Sequence, residues 1–170
     1  MFPLACVLLL LASCTYSGGE LLYTLGFGQP GKVKAQFRLT SGPLLILIDD
    51  PARMLDWPPA EAYLFDHLSQ ELLRHKAAAK IVPLETVQHL RQSTPDFARR
   101  GAREVGEMVG AEQVLLLTVA AYRGEEQIGD VSEAGLFSVT VKVINVLEKD
   151  DPLRVRLWPE SPRGKRVDAV

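Results

Sequence analysis

The sequence predicts an α/β (α+β) domain, with a single mixed β-sheet of about five to six strands carrying about three helices, after a cleaved signal peptide and a flexible tether. Three patterns in the 170 residues indicate this fold class. The continuous apolar run Leu44–Ile48 is typical of a strand buried on both faces. Apolar residues recur at every fourth position from Ala60 to Leu72, which is the stripe of an amphipathic helix. Two long runs rich in β-branched residues, 113–122 and 136–147, predict a pair of long strands.

The boundaries of the elements follow from turn, cap and period signals along the chain. Residues Val33–Leu39 alternate apolar and polar side chains and predict a half-buried first strand. Ser93-Thr94-Pro95-Asp96 has capping-box spacing with a proline in the first turn, which predicts a helix start, and Gly110 is a natural stop for that helix. Acidic residues in 123–135 are expected at the tip of a hairpin between the two long strands. The order β-β-α-β-α-α-β-β-β is predicted over residues 33–39, 44–48, 58–76, 80–83, 84–91, 93–110, 113–122, 136–147 and 153–158.

The first fourteen residues predict a targeting signal that is separate from the fold. The first twelve residues carry no charge, and Leu4–Ala12 is an unbroken apolar run, which is shorter than the roughly 20 residues that a membrane-spanning helix needs. The run leads into Leu11-Ala12-Ser13-Cys14, which resembles the lipobox of bacterial lipoproteins. That resemblance implies cleavage between Ser13 and Cys14, a thioether from Cys14 to diacylglycerol, and acylation of the new amino end. The start of the chain departs from the usual pattern because Met1-Phe2-Pro3 contains no Lys or Arg. The alternative is a short buried helix in which Cys14 is an ordinary small apolar residue.

The lipobox divides the chain into four predicted segments. These are a signal peptide (1–13), the lipidated cysteine with a glycine-rich tether (14–31), the α/β domain (32–158) and a polar, basic tail (159–170). The chain has two cysteines, Cys6 and Cys14, so cleavage leaves the mature protein with the anchoring cysteine alone. Thr15 follows Cys14, whereas the sorting rule of bacterial lipoproteins uses Asp at that place to retain a protein in the inner membrane. The resemblance therefore implies the periplasmic face of the outer membrane, with the inner membrane as the alternative.

The order of motifs in the mature chain resembles a group of envelope proteins. An apolar strand ends in Asp at Leu44–Asp50, a helix follows, Lys-Ile-Val-Pro at 80–83 forms a short strand, and Val-Gly-Ala-Glu-Gln-Val at 109–114 leads into a long strand. This order is similar to that of the curli-export lipoproteins, the lipoprotein activators of peptidoglycan synthases and the N-terminal domain of TolB. The resemblance covers residues 43–158 and implies the same fold and an envelope location. The group usually has Asp and a Thr-Gly turn at the end of its last long strand, where this chain has Asn145 and an acidic turn.

Composition and motif spacing exclude several classes of protein. The chain has 19 basic and 21 acidic residues and a formal net charge of −2, which gives no basic surface for a nucleic acid partner. Two cysteines make no disulfide framework, and the three histidines lack His-Glu-x-x-His spacing. Gly26–Gly31 matches the letters of a dinucleotide fingerprint, but Pro30-Gly31 predicts a turn where that motif needs a helix. We expect no cofactor and no metal.

Asp49 and Asp50 are the residues best suited to a ligand site. They follow the buried strand directly, and open α/β sheets bind ligands at the carboxyl ends of their strands. Two carboxylates at that place suit a divalent cation, or a division of acid and base roles. The alternative is a polar strand exit, with turn acids before Pro51.

Basic and aromatic side chains elsewhere are candidates for a partner surface. Arg99, Arg100 and Arg103 fall on the third predicted helix and suit anionic headgroups or an acidic partner, or alternatively form a solvated helix face. Trp57 and Trp158 each precede a proline near the end of an element. Exposed Trp anchors interfaces, and the alternative is a lid on the core.

These patterns predict a non-enzymatic, membrane-anchored envelope lipoprotein whose domain binds a protein partner in envelope assembly, transport or cell-wall synthesis. A homo-oligomer is compatible with this prediction. The second hypothesis comes from a different class of protein, and it is an anchored hydrolase or metal-dependent enzyme that uses Asp49 and Asp50.

Overall fold

The computed structural model of this protein describes residues 35–55, 59–123, 126–128, 131–133 and 135–169. The central element of its fold is strand β1. The strands are β1 (Pro43–Asp49), β2 (Lys80–Ile81), β3 (Gln113–Arg123), β4 (Glu126–Ile128), β5 (Val131–Glu133), β6 (Leu136–Asn145), β7 (Arg156–Trp158) and β8 (Lys165–Ala169). The helices are α1 (Ala60–Arg74), α2 (Leu84–Ser93), α3 (Ala102–Met108) and α4 (Pro152–Val155), with a 3-10 turn at Phe97–Arg99.

Within the described residues, six strands form one mixed sheet in the order β2-β1-β3-β6-β7, with β8 also paired to β6. β1 runs parallel to β2 and β3, and its register with β3 places Leu45 beside Val114. β6 runs antiparallel to β3, β7 and β8. The short strands β4 and β5, which lie between β3 and β6 in sequence, pair with each other. The predicted fold class, a mixed sheet with helices packed on it, is confirmed.

Helices cover both faces of β1, which explains its uninterrupted apolar sequence. Alternate residues of a strand point to opposite faces, and the even-numbered positions of 44–48 pack with α1 around Phe65. The odd-numbered positions pack with α2 and α3 around Val87 and Val105. β2 and β3 lie on opposite sides of β1. The chain therefore passes from β1 to its neighbour on one side, β2, and then crosses over to its neighbour on the other side, β3. The carboxyl end of β1 beside β3 is therefore the topological switch point.

Helix α3 lies very close to the sheet because of Gly106. A methyl group on the Cα of this glycine would lie 2.6 Å from Cγ2 of Val146 and 2.7 Å from Cγ2 of Val114. The helix ends at Met108, and Gly110 has a φ of 69°, the left-handed conformation that glycine favours after a helix C-terminus. The stop predicted at Gly110 is confirmed.

Two elements predicted in the first half of the chain differ from the structure. The strand expected at 33–39 is absent from 35–39, the part that is described. The alternating pattern there instead lets Leu39 pack against the α1 side of the core. The helix expected at 93–110 is broken, because α2 continues to Ser93 and the extended backbone at Arg100 and Gly101 separates the 3-10 turn from α3.

The end of the chain joins the sheet, where we expected a tail over 159–170. Lys165–Ala169 forms β8 and pairs with β6 from Phe137 to Val141. The strand expected at 153–158 is one turn of helix, α4, followed by β7. β6 is long enough to pair with β7 and then with β8 along the same edge. The pairing with β6 makes Lys165–Ala169 a strand, although Val167 is the one residue of its sequence that is both large and apolar.

Candidate functional site

A groove of about 940 Å³ opens at the carboxyl end of β1, on the face covered by α2 and α3. Leu47 and Leu116 form its floor, and its walls are the β1–α1 loop, the first turn of α1, the end of α2 and the segment 94–100. This is the switch point at which open α/β sheets bind ligands. Among the described residues, the acidic and basic side chains that line it are Asp49, Asp50, Glu61, Arg53, Arg91 and Arg100.

Asp50 organises the loop on one side of this groove. Its two carboxylate oxygens accept hydrogen bonds from the backbone N–H groups of Met54 and Leu55, at 2.9 and 2.8 Å. Its carbonyl oxygen accepts a third, from the N–H of Arg53 at 3.1 Å. Local bonds of this kind are typical of Asp in turns. These bonds agree with the alternative interpretation of Asp50, which is a turn acid at the exit of the strand.

Asp49 differs from Asp50 because its side chain is exposed at the last position of β1. Asp49 and Asp50 both line the groove. They lie at the carboxyl end of β1, where the sequence predicted them. Among the described residues, no group of three His, Cys, Asp or Glu side chains is placed to hold a metal ion. The pair therefore has no third protein carboxylate or imidazole beside it in that part of the chain.

Glu61 and Arg91 join α1 to α2 at one side of the groove. Nη1 and Nη2 of Arg91 each donate to one carboxylate oxygen of Glu61, both at 3.0 Å, in a bidentate pair. The guanidinium carbon of Arg91 also lies 5.5 Å from the centroid of the Phe97 ring, which is a cation–π distance. These contacts fix the position of both side chains at the groove wall.

Arg53 lies in the β1–α1 loop with an unusual backbone. Its φ is 52°, which costs a residue with a Cβ about 1–2 kcal/mol relative to the right-handed region. The three hydrogen bonds that Asp50 accepts hold the loop in this conformation. The guanidinium of Arg53 forms no ion pair with any side chain that the structure describes, so a positive charge remains at the groove edge.

The expected basic cluster of Arg99, Arg100 and Arg103 is divided by local ion pairs. Nη2 of Arg100 lies 2.7 Å from Oδ2 of Asp96, and Nη1 of Arg103 lies 3.2 Å from Oε2 of Glu107. Glu107 also accepts a hydrogen bond from Lys149 at 2.7 Å, and this contact is the main reason that the pKa of Glu107 is lowered. The prediction that all three arginines lie on one helix is wrong, because Arg99 is exposed in the 3-10 turn and Arg100 is in the extended backbone before α3. Arg103 lies on α3, and the alternative of a solvated helix face applies to it.

Of the other predicted site residues, the structure describes Trp158. Trp158 is half-buried in β7 opposite Val143, and its peptide bond to Pro159 is cis. Trp57, Ser13 and Cys14 lie outside the described residues. Trp158 is not among the described residues that line the groove, whereas Arg100 is.

Sequence reasoning missed Glu61, Arg91 and Arg53 as groove residues. Glu61 and Arg91 are 30 residues apart in different helices, so no local spacing indicates their pairing. Arg53 comes shortly after Asp50-Pro51, a turn signal, but that signal does not specify a left-handed residue.

A second depression, of about 450 Å³, lies at the C-terminal end of α1 and is lined mainly by small side chains, with Lys76 as its charged residue.

In the described residues, no helix has the length and apolarity that a membrane span requires.

No protein-family model and no curated protein sequence matches the chain. The lipoprotein GNA1162 of Neisseria meningitidis is similar in structure, at 15% identity and a TM-score of 0.46 over 75% of this chain and 79% of that one. The hypothetical protein CT253 of Chlamydia trachomatis is similar at 14% identity and a TM-score of 0.42, over 76% and 72% of the two chains. A PelC dodecamer from Paraburkholderia phytofirmans is similar at 18% identity and a TM-score of 0.38, over 66% and 65%.

Proposed function

We propose that this chain is a non-catalytic envelope lipoprotein, anchored through Cys14, whose α/β domain binds a protein partner in envelope assembly, transport or cell-wall synthesis. The observation that carries the proposal is the sequence Leu11-Ala12-Ser13-Cys14 at the end of an uncharged apolar run. Diacylglyceryl and acyl chains contribute about 0.8 kcal/mol per buried methylene, so two or three chains hold a protein at a membrane. Thr15 favours the outer membrane, and the inner membrane is the alternative.

The groove supports a polypeptide as the ligand of the domain. Its apolar floor at Leu47 and Leu116 suits a side chain of a partner, and its edges offer charges of both signs. Asp50 already uses both carboxylate oxygens in backbone hydrogen bonds, and Arg91 is paired with Glu61. These engagements favour a binding surface over an acid–base pair, because a general acid or base must be able to exchange a proton with a substrate.

The anchor is tested by membrane fractionation of the full chain in a bacterial host. Cys14→Ser is expected to release the mature domain from the membrane fraction or to leave an uncleaved precursor. Cys6→Ser is the matched control, since it changes the other cysteine of the same segment, and it is expected to be cleaved and anchored like the wild type. Membrane attachment and cleavage that are unchanged in Cys14→Ser would contradict the proposal.

Partner binding is tested by cross-linking in living cells. A photoreactive amino acid at Ala98, which is exposed and lines the groove, is expected to give one discrete adduct. The same amino acid at Gln70, which is exposed on α1, is the control and is expected to give none. An absence of adducts at both positions, or equal adducts at both, would contradict binding in the groove.

The competing hypothesis, a metal-dependent enzyme, makes a different prediction. It requires that Asp49 and Asp50 hold a divalent cation, so titration calorimetry with Mg²⁺, Ca²⁺, Mn²⁺ and Zn²⁺ is the relevant measurement. Our proposal expects the same heats for the wild type and for Asp49→Ala. A binding isotherm that is present in the wild type and lost in Asp49→Ala would favour the enzyme.

A further inference from the structure

Strand β8 presents an edge of the sheet. It pairs with β6 on one side, in a register that places Val167 beside Val139 and Asp168 beside Ser138. On its other side it pairs with no strand that the structure describes. An unpaired edge exposes a row of backbone N–H and C=O groups that can pair with another strand.

The charges of β8 are complementary to those of a second copy of the same strand. Arg166 and Asp168 flank Val167 and lie on the same face, with Nε of Arg166 2.8 Å from Oδ1 of Asp168. In an antiparallel pair of two β8 strands centred on Val167, each Arg166 lies opposite the Asp168 of the other copy. Opposite charges in such positions stabilise a strand pair, whereas like charges destabilise it.

The same charges select one register. A pair centred on Arg166 places two guanidinium groups opposite each other, and a pair centred on Asp168 places two carboxylates opposite each other. Of the three registers centred on Arg166, Val167 and Asp168, the one centred on Val167 avoids both repulsions. A pairing in which both copies use the same residues has the two-fold symmetry of the commonest protein dimers.

Val167 and Ser138 add to this arrangement. Val167 is 49% exposed although it is the large apolar residue of the strand, and the Val167 of a second copy would cover it. Ser138 is completely buried, and its hydroxyl donates a 2.5 Å hydrogen bond to Oδ1 of Asp168. This bond, with that from Arg166, lowers the pKa of Asp168 and keeps its carboxyl group charged.

We propose that β8 is the strand through which two copies of this chain form a dimer, antiparallel and centred on Val167, so that the two sheets become continuous. The proposal depends on the geometry of β8 and is independent of the lipid anchor. Where the chain is anchored, confinement to one membrane surface raises the effective concentration of the copies and favours the pair.

Sedimentation velocity of the full chain in detergent tests this dimer with two charge-reversal variants. Arg166→Asp gives each strand two acidic positions and Asp168→Arg gives it two basic positions, so each variant alone is expected to associate about tenfold more weakly than the wild type. A mixture of the two variants restores opposite charges at both places and is expected to recover the dimer. Arg163→Asp, the same change of charge in the exposed turn before β8, is the matched control and is expected to dimerise like the wild type.

The folded state of each variant is checked by its thermal unfolding curve, because Asp168 also holds β8 to Ser138. If Asp168→Arg does not fold, the comparison of Arg166→Asp with Arg163→Asp decides the question alone. A wild type that stays monomeric at all concentrations, or an Arg166→Asp variant that dimerises as well as Arg163→Asp, overturns the proposal.

Discussion

At the scale of single residues, Asp50 shows how a carboxylate at a strand end takes a local role. A sequence in which two Asp residues follow a buried strand indicates a ligand site, and the structure places both at the predicted edge of the sheet. The hydrogen bonds that Asp50 accepts in its own loop were not predictable, since they depend on the path of the chain to Leu55. Asp49 has no such bond to a described residue and remains exposed.

Replacement of these two residues separates their roles. Asp50→Ala leaves the N–H groups of Met54 and Leu55 without their acceptor, and we expect it to lower the free energy of unfolding by about 1–2 kcal/mol. Asp49→Ala changes an exposed carboxylate and is expected to lower it by less than about 0.5 kcal/mol. Urea denaturation of both variants measures the difference, and equal effects would show that the loop does not depend on Asp50.

At the scale of elements, the sheet and its helices were predictable where a periodic pattern met a strong boundary signal. β1, β3 and β6 carry long apolar or β-branched runs, and α1 carries a clear apolar stripe. Residues 35–39 have the alternating pattern of a strand but pair with no strand in the described chain. β8 pairs with β6 although its sequence lacks a strand pattern. Both differences have the same cause, which is that a strand depends on its neighbours in the sheet as well as on its own sequence.

The packing of α3 on the sheet gives a second prediction. In Gly106→Ala the new methyl group meets the buried, branched side chains of Val114 and Val146. We expect this overpacking to outweigh the roughly 1 kcal/mol gain in helix propensity and to lower the free energy of unfolding by about 1–2 kcal/mol.

Gly101→Ala is the matched control for that variant. Gly101 precedes α3 with φ −69° and ψ 151°, which alanine adopts freely, and a methyl group there has no atom within 4 Å. Its unfolding free energy is expected to stay within about 0.5 kcal/mol of the wild type. If Gly106→Ala is as stable as Gly101→Ala, α3 does not lie as close to the sheet as described.

The attachment of β8 to β6 gives a prediction about pH. The hydrogen bond from Ser138, and then that from Arg166, lower the pKa of Asp168 below that of an ordinary aspartate. The contact therefore stabilises the folded state at neutral pH, and this contribution is lost as the pH falls through the lowered pKa. We expect the protection factors of the β8 amide protons, which compare their exchange rates with those of an unfolded chain at the same pH, to fall at low pH as Asp168 becomes protonated.

Ser138→Ala provides the control for this titration. It removes the main cause of the shift, so the pKa of Asp168, measured by NMR on its carboxyl carbon, is expected to rise toward the ordinary value. A pKa that stays the same in Ser138→Ala would mean that the hydroxyl does not bind Asp168 in solution.

At the scale of the whole molecule, the groove is a product of the topology. The sequence predicted its place at the carboxyl end of β1, but not the pairing of Glu61 with Arg91, which joins two helices that are distant in sequence. It also did not predict the interruption at Gly101, which directs residues 94–100 along the groove wall. The resulting surface combines an apolar floor with fixed charges, and we propose that a partner protein binds there.

The lipid anchor is the central claim of this account, and the mass of the amino-terminal peptide tests it most directly. We predict that the mature protein, isolated from bacterial membranes and digested, yields an amino-terminal peptide that begins at Cys14 and carries the added mass of diacylglycerol and an acyl chain. A peptide that begins at Met1, or one in which Cys14 has the mass of an unmodified cysteine, would contradict the claim.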